Sequence, residues 1–467
     1  MESVRVLELY SGIGGMHYAL KESGVPGQVV AAVDINTTTN QIYRHNFPDT
    51  PLWNKTIEGI TLDDFNKLSF DMILMSPPCQ PFTRIGLQGD IQDPRTKSLL
   101  YILDLLPRLS RLPRFILLEN VKGFETSSAR ELLVKTLTEC GYTFQEIMVS
   151  PTSVGIPNSR LRYFLIAKTA TETLSTQTKI SEAFPHLAKG DSSELPPVLG
   201  PTHPGACRPE EDVQQGPVLY KLETATDAQR KMNQNNDLSV RQIQDFLEPQ
   251  MEEENSERYL LPPKTLLRYA VLLDIVQPTC RRSVCFTKGY GRYVEGTGSV
   301  LQGCMETEME SVFTGLDQCS EEEKLERLRK LKLRYFTPRE VANLMGFPQS
   351  FSFPEQISTR QQYKALGNSL NVEAPSDQFL CGQWVKQRLI LTKLKSIAAQ
   401  LWGREDIRDK MRRQRKKERE GDEREEEQVL PNSNKKGQSD AGYCNFTFSM
   451  FLLHLHQARR DAGEMET

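Results

Sequence analysis

Short β-rich runs alternate with helical segments over residues 1–168, and this order constrains the fold more than any other feature of the chain. The predicted strands span residues 4–10, 28–35, 70–76, 114–121 and 160–168, and segments such as "SLLYILDLLPRL" and "ARELLVKTLTECG" are predicted helices. Alternation of this kind predicts a mostly parallel sheet with helices on both faces. The N-terminal part is therefore expected to be an α/β domain.

One cysteine stands between prolines directly after a predicted strand, in the segment "LMSPPCQPFTRIG" (residues 74–86). Proline fixes φ and removes a backbone donor, so this segment can be neither the interior of a helix nor a central strand. We interpret it as a stiff loop that presents the Cys79 thiol at the end of a strand. The alternative is a buried cysteine in a turn, because free cysteine is among the most buried residue types.

Other groups capable of chemistry also follow predicted strands. The glycine-rich turn "SGIGG" follows the first strand and begins a helix, where backbone donors can approach a ligand. Asp34 ends the second strand, which suits hydrogen bonds from ribose hydroxyls, although a helix cap explains it equally well. Glu119 ends the run at 114–121. Because parallel strands end at one edge of a sheet, we expect Cys79, Glu119 and a nucleoside site to meet there.

Two arginines, Arg160 and Arg162, alternate on the last predicted strand of this domain. Arginine offers donors without an acceptor, which suits an anion or a base carbonyl. A cysteine and a carboxylate without a partner histidine do not form a protease site.

Charge and composition limit the possible partners. The net charge is −3, so any nucleic-acid site must be a local patch. The segment "CRRSVCFTKGYGRY" interleaves cations for phosphate with aromatic rings for bases, although an ordinary β-hairpin is the alternative. The sequence has no signal peptide pattern and no apolar stretch long enough to span a bilayer. Nine cysteines without a secretory signal predict a reducing compartment, and their spacing does not favour a zinc site.

The motifs "PPCQPFT", "ENV" and "RLRYFLIA", in that order after "YSGIGG", resemble those of the cytosine carbon-5 methyltransferases. The segment "CFTKGYGRYVEGTGS" is similar to the signature of the tRNA aspartic acid methyltransferase branch, historically named DNA methyltransferase homolog 2. The resemblance covers residues 1–168 and 257–372. It implies a Rossmann-like S-adenosyl-L-methionine-dependent methyltransferase sheet with a smaller target-recognition domain.

The resemblance also implies a division of the chain and the roles of individual residues. Residues 1–168 would form the cofactor-binding catalytic domain, 257–335 the recognition domain and 336–372 a segment that returns to complete the catalytic domain. Residues 169–256 are polar and rich in Pro, Gly and Ser, and this composition predicts a flexible insertion. The implied catalytic residues are Cys79 as nucleophile, Glu119, Arg160 and Arg162. The implied cofactor-binding residues are Ile13, Gly14, Gly15, Asp34, Ile35, Ile57, Glu58, Pro78, Ser98, Asn368 and Ser369. The expected nucleic-acid-binding residues are Arg281, Arg282, Lys288, Tyr290 and Arg292.

The implied reaction is methylation of carbon 5 of a cytosine in tRNA, at position 38 in the anticodon loop of aspartate tRNA, through a covalent cysteine adduct. One alternative is a DNA (cytosine-5)-methyltransferase. The other is a binding protein whose catalysis is impaired by a C-terminus that departs from the family pattern. If tRNA is the substrate, DNA is expected to be a weak partner. Residues 373–467 depart from the family pattern. They are expected to form a partly charged, disordered tail with one amphipathic helix at 384–402. The expected location is the cytoplasm, with the nucleus as a second location.

Overall fold

A computed structural model describes residues 3–83, 88–169, 180, 225–249 and 257–372 of the 467-residue chain. Within these residues, one sheet contains β1 (Val4–Leu9), β2 (Gly27–Val33), β3 (Leu52–Trp53), β4 (Met72–Met75), β5 (Phe115–Val121), β6 (Tyr142–Val149) and β7 (Arg162–Thr169). The five predicted strands correspond to β1, β2, β4, β5 and β7. The prediction lacks β3, which is only two residues long, and β6, whose apolar pattern is interrupted by Gln145 and Glu146.

The strand order of this sheet is β3-β2-β1-β4-β5-β7-β6. Strands β1 to β5 run parallel, whereas β7 pairs antiparallel with both β5 and β6. Because β7 runs the opposite way, its first residue, Arg162, pairs with Val121 at the end of β5. The reversed strand thus brings an arginine to the carboxyl edge of the sheet, the edge at which the parallel strands end.

Helices cover both faces of the sheet, which confirms the predicted α/β class. The helices of the described residues are α1 (Gly15–Glu22), α2 (Thr37–Asn46), α3 (Leu62–Leu68), α4 (Lys97–Leu105), α5 (Ser128–Glu139), α6 (Ala225–Asn235), α7 (Pro263–Tyr269), α8 (Met309–Phe313), α9 (Glu321–Lys330), α10 (Pro338–Leu344) and α11 (Thr359–Asn368). Alternate residues of β1 point to opposite sides of the sheet, as strand geometry requires. Val6 belongs to the apolar cluster that includes residues of α1, α2, α10 and α11, and Leu7 belongs to the cluster that includes residues of α3, α4 and α5.

The start of α10 illustrates how local sequence sets a boundary. Thr337 Oγ accepts a hydrogen bond from the Glu340 amide at 3.1 Å, and the Thr337 amide donates to the Glu340 carboxylate at 2.9 Å. Pro338 occupies the first helical turn, where its missing N–H costs nothing. Thr337 and Glu340 therefore form a reciprocal capping box.

A second sheet lies within the predicted recognition domain. It contains β8 (Ile275–Val276), β9 (Val300–Gln302) and β10 (Leu333–Arg334), in the order β10-β9-β8. Its own apolar cluster includes Leu266 of α7, Val312 of α8 and Leu328 of α9. This small α/β unit is consistent with the predicted class of a Rossmann-like sheet with a smaller domain.

The prediction of a flexible insertion over 169–256 is wrong for residues 225–249. Helix α6 lies there, and it is followed by a 3-10 turn at Ile243–Phe246. Ile243 and Phe246 are buried in the core, and the Asn343 side chain of α10 donates to the Phe246 carbonyl at 2.9 Å. These apolar anchors order a segment whose polar composition suggested otherwise. Most of the remaining insertion, and the predicted tail at 373–467 with its helix at 384–402, lie outside the described residues.

Among the described helices, none combines the length and apolar character that crossing a membrane requires. The same residues contain no group of three or more His, Cys, Asp or Glu side chains that could hold a metal ion.

Candidate active site

A cavity of about 500 Å³ opens at the carboxyl edge of the large sheet. This volume is within the range of small-molecule sites. Residues that follow β1, β2, β3 and β4 form its wall, together with the end of β5, the start of β7 and the end of α11. The predicted catalytic and cofactor residues found on the wall are Ile13, Asp34, Ile35, Ile57, Glu58, Pro78, Cys79, Ser98, Glu119, Arg160, Arg162, Asn368 and Ser369.

Cys79 lies in a backbone segment that is fixed on both sides. It follows β4 by four residues and precedes a 3-10 turn at Gln80–Phe82. The Phe82 amide donates to the Cys79 carbonyl at 3.0 Å, and the Asn120 side chain donates to the Pro77 carbonyl at 3.3 Å. These bonds and the neighbouring prolines hold the thiol at the cavity wall.

The environment of the Cys79 thiol raises its pKa and so favours the protonated form. Burial raises its pKa, and the charge of Glu119 raises it further, whereas Arg162 and Arg160 lower it. Since the thiolate is the nucleophilic form of cysteine, the two arginines are the groups that can stabilise it.

Glu119 and Arg162 form an ion pair beside the thiol. Arg162 Nε lies 3.3 Å from Glu119 Oε1, and both side chains are mostly buried. Burial raises the pKa of Glu119, while Arg162 and Arg160 lower it. A carboxyl group with a raised pKa can hold a proton and donate it in a hydrogen bond, as well as accept one through its other oxygen.

Arg160 differs from the prediction that it alternates with Arg162 along one strand. It precedes β7, and it donates through Nη1 to Cys285 Sγ at 3.1 Å and to the Phe286 carbonyl at 3.2 Å. Its Nη2 donates to the Ser369 carbonyl. Arg160 therefore lines the cavity and also ties the end of α11 to the segment that begins at Cys285.

The wall near β2 suits a nucleoside. Asp34 Oδ2 accepts from the Gly12 amide at 2.9 Å, and its Oδ1 accepts from the Asn36 amide at 2.7 Å. Burial raises the pKa of Asp34, and these backbone donors lower it. Ile35 is 64% exposed and presents an apolar surface to the cavity. The helix cap of α2 is Asn36, so the alternative interpretation of Asp34 as that cap is wrong.

Gly14 and Gly15 do not line the cavity, in contrast to the prediction. A Cβ on Gly14 would lie 2.4 Å from the Phe47 ring, and one on Gly15 would lie 3.0 Å from Leu370. Gly14, whose φ is +86°, therefore requires glycine, whereas Gly15 packs closely against the side chain of Leu370. Gly12 is the glycine of the turn that reaches the wall.

Tyr10 and Arg95 are among the side chains of the wall that sequence reasoning missed. The Tyr10 hydroxyl donates to Ser98 Oγ at 3.0 Å, and Arg95 forms an ion pair with Asp93. Tyr10 directly precedes "SGIGG" and Arg95 lies three residues before Ser98. Their closeness in sequence to predicted site residues was the signal that could have identified both.

The predicted nucleic-acid-binding residues separate into buried and exposed groups. The prediction is wrong for Arg282, which is buried and pairs with Asp274 at 2.9 Å. It is also wrong for Tyr290, which is buried and donates to the Ser299 carbonyl at 2.7 Å. Arg281 is partly buried and donates to the Val240 carbonyl.

Lys288 and Arg292 are exposed, as expected for residues that contact nucleic acid. The Arg292 guanidinium stacks 4.9 Å from the ring centre of Tyr293, which is 57% exposed. A Cβ on Gly367 of the cavity wall would lie 2.2 Å from the Lys288 amide nitrogen. This close backbone contact places the exposed segment beside the cavity.

Comparisons with known proteins converge on one family. Residues 4–376 match the family described as C-5 cytosine-specific DNA methylase. A Mus musculus protein named tRNA (cytosine(38)-C(5))-methyltransferase is 57% identical over 383 residues, which cover 80% of this chain and 91% of that protein. A Dictyostelium discoideum protein named DNA (cytosine-5)-methyltransferase is 37% identical, with 81% of this chain and 93% of that one covered.

Solved structures agree with the sequence comparisons. The crystal structure of a mutant Spodoptera frugiperda DNMT2 has a TM-score of 0.62 and 37% identity, and it covers 85% of this chain and 99% of that chain. The crystal structure of Schizosaccharomyces pombe Dnmt2 methyltransferase has a TM-score of 0.58 and 34% identity, and it covers 80% and 96% of the two chains.

Proposed function

The chain belongs to the C-5 cytosine-specific methylase family, whose members use S-adenosyl-L-methionine, and we propose that this enzyme methylates carbon 5 of a cytosine in tRNA. The proposal rests above all on the placement of Cys79, Glu119 and Arg162 on one cavity wall. The position we assign is cytosine 38 in the anticodon loop of aspartate tRNA. The vertebrate relatives named for cytosine 38 support the position, at 56–57% identity.

The wall residues fit S-adenosyl-L-methionine. Asp34 suits the ribose hydroxyls, and the exposed face of Ile35 suits the adenine ring. Ser98, Asn368 and Ser369 add polar groups elsewhere on the wall. When bound, the cofactor supplies an electrophilic methyl group on its sulfonium.

Glu119 is the group we assign to cytosine recognition. Cytosine presents an acceptor at N3 beside the donor of its exocyclic amine. A protonated carboxyl group matches this pair, because its hydroxyl donates to N3 and its carbonyl oxygen accepts from the amine. The raised pKa of Glu119 favours that protonated state. A hydrogen bond to N3 also withdraws electron density from the ring, so carbon 6 becomes more electrophilic.

Cys79 is the nucleophile in this proposal. Its thiolate adds to carbon 6 of the cytosine, which makes carbon 5 enamine-like and able to accept a methyl group. Loss of the carbon-5 proton and release of the thiolate then restore the ring. Arg162 acts on both groups, because its charge lowers the pKa of Cys79 as well as that of Glu119. The fixed backbone around Cys79 supplies the orientation that such an attack requires.

The exposed segment around Lys288 and Arg292 supports a structured RNA as substrate. Its cations suit phosphates, and the exposed Tyr293 ring suits an unpaired base. A loop cytosine is already unpaired, whereas a cytosine in duplex DNA must be flipped out at a cost of a few kcal/mol. We therefore assign DNA the role of a weaker acceptor. We also propose a cytoplasmic location, with the nucleus as a second one, since all six described cysteines are free.

The test is methyl transfer from labelled cofactor to an aspartate tRNA transcript, compared with the same transcript carrying uridine in place of cytosine 38. The proposal predicts label in the first transcript and background label in the second. Equal labelling of both transcripts would reject the assigned position. Labelling of neither transcript, with label in duplex DNA, would favour the DNA methyltransferase alternative. Labelling of no acceptor despite cofactor binding would favour the impaired binding protein.

A further inference from the structure

Asp90 lies in the segment that joins two parts of the cavity wall, Cys79 and Ser98. Its side chain is not on the wall; it reaches the N-terminus of α5 instead. Asp90 Oδ2 accepts from the Ser128 amide at 2.6 Å, and Oδ1 accepts from the Ala129 amide at 3.1 Å. These are the first two residues of α5. The carboxylate therefore supplies hydrogen bonds that the start of a helix otherwise lacks.

The main chain of Asp90 also takes part in these contacts. Its φ is +46°, a left-handed conformation that aspartate tolerates better than most side chains do. Its carbonyl accepts from Thr96 Oγ1 at 2.6 Å, and Thr96 is buried directly before α4. A single residue thus joins the start of α5 to the start of α4, and Arg95 of the wall directly precedes Thr96.

A second contact holds the same segment closer to Cys79. The Phe82 ring packs edge-on against Phe124 at 4.9 Å. A Cβ on Gly123 would lie 2.4 Å from the Phe82 carbonyl oxygen, so the two backbones touch. The segment after Cys79 therefore rests on residues 123–129 at two points, Phe82 and Asp90.

The support is itself anchored to the large sheet. Helix α5 is tied to the sheet by Arg130, whose guanidinium forms two hydrogen bonds with the buried Glu146 of β6. The Tyr163 hydroxyl of β7 donates to the same carboxylate at 2.5 Å. Tyr163 is adjacent to Arg162, so α5 and the arginine of the cavity are fixed to the same strand.

We propose that Asp90 is a positioning residue, which holds Cys79 and Arg95 in place through α5. This inference rests on the proposed role of Cys79 as the nucleophile. A displacement of about 1 Å at the reacting atom can reduce a rate by roughly a hundredfold. Loss of the Asp90 contacts therefore lowers kcat, while the sites for cofactor and tRNA keep their affinity.

The experiment removes the contact from each side in turn. Asp90→Gly deletes both hydrogen bonds and tolerates the positive φ. Ser128→Pro deletes one donor, and proline is tolerated at the first position of a helix. The preceding residue, Ser127, has ψ 154°, which suits a following proline. Asp90→Asn keeps one acceptor oxygen and is the conservative variant. Asp64→Ala removes a helix-start carboxylate of a different helix, α3, and is the control.

We expect kcat to fall at least ~10-fold in Asp90→Gly and Ser128→Pro, less in Asp90→Asn, and not at all in Asp64→Ala. The KM for tRNA and the affinity for the cofactor should change less than about threefold, and the double variant should be no slower than the slower single one. Values of kcat within about twofold of wild type in both variants would overturn the proposal, and so would losses that multiply in the double variant.

Hydrogen exchange of the peptide containing Cys79 and Phe82 gives a readout independent of methyl transfer. We expect this peptide to exchange faster in Asp90→Gly and Ser128→Pro than in the wild type, while exchange in β4 stays the same. If this peptide exchanged at the wild-type rate in both variants, the proposal would be contradicted. The wild-type enzyme could fail to methylate tRNA while hydrogen exchange in the variants still changed as expected. The proposed function would then be rejected, and the role of Asp90 in holding this segment on α5 would be supported.

Discussion

Arg162 Nε lies 3.3 Å from Glu119 Oε1, at the point where β7 begins beside the end of β5. The contact depends on the reversed direction of β7, because a parallel strand would begin at the opposite edge of the sheet. The arginine charge lowers the pKa of Glu119 and also that of the Cys79 thiol. One guanidinium thus influences both the group that would bind the base and the group that would attack it.

Arg162→Gln should shift the pH dependence of methyl transfer. Without the positive charge, the pKa of Cys79 rises, so less thiolate is present at a given pH. The rate should fall about tenfold near neutral pH for each unit of that rise, and it should partly recover as the pH is raised. The measurement is kcat/KM between about pH 6.5 and 9.5. Arg162→Lys retains the charge and should keep the wild-type profile shape, whereas identical profiles for wild type and Arg162→Gln would contradict this account.

Cys79→Ala should abolish methyl transfer and leave the fold nearly intact. Hydrogen bonds from the Asn120 side chain and the Phe82 amide hold the surrounding backbone, and the substitution keeps both. Cofactor affinity by calorimetry should therefore change less than about twofold. Cys319→Ala removes another partly exposed thiol, remote in sequence, and should retain full activity. More than trace turnover in Cys79→Ala would eliminate this residue as the nucleophile.

Glu8→Gln should remove a pH dependence of stability. Burial raises the pKa of Glu8 from 4.5 to about 8. The folded state therefore binds more protons than the unfolded state between these values, and wild-type stability falls as the pH rises through that range. The free energy of unfolding should drop by up to several kcal/mol from about pH 5 to 8.

The glutamine side chain is a neutral mimic of protonated Glu8. Glu8 accepts from the Tyr43 hydroxyl at 2.7 Å, and that hydroxyl also lies 2.8 Å from His17 Nδ1, whose pKa burial lowers to about 4. Tyr43 can therefore donate to His17 and accept from glutamine. Urea unfolding of Glu8→Gln should show a flatter pH profile and a higher free energy of unfolding than wild type near pH 8. A Glu8→Gln profile as steep as that of wild type would refute the proton linkage.

Exposed and buried cations of the recognition region should behave differently on substitution. Replacing Lys288 and Arg292 by Ala should weaken tRNA binding and reduce the slope of log K against log salt by about 0.7–0.9 per lost phosphate contact. Thermal stability should stay unchanged, because both side chains are exposed.

Arg282→Met is the matched comparison, because it removes a buried cation that pairs with Asp274. It leaves a buried carboxylate with one cation fewer, so the melting temperature should fall while the salt slope of tRNA binding is unchanged. If the salt slope changed in Arg282→Met and not in the Lys288 and Arg292 variant, the assignment of the binding surface would be wrong.

Strand ends could be located from sequence because apolar runs stop at polar or proline-rich positions, and this placed Cys79, Asp34 and Glu119 at one edge of the sheet. Burial within the recognition region could not be derived in this way. Tyr290 is covered because its hydroxyl accepts from the Phe336 amide, 46 residues away, and its ring packs on Phe286. Arg160 likewise has a structural role because it donates to the carbonyl of Ser369, which is distant in sequence. Local patterns carry no information about such contacts.

The central claim is tested most directly by methyl transfer to tRNA and to duplex DNA, measured side by side with labelled cofactor at equal salt. A tRNA loop presents an unpaired cytosine, whereas duplex DNA imposes the cost of flipping the base. We predict a preference for tRNA of at least ~10-fold, equivalent to about 1.4 kcal/mol. Equal or faster methylation of duplex DNA would contradict the account and would identify this enzyme as a DNA methyltransferase.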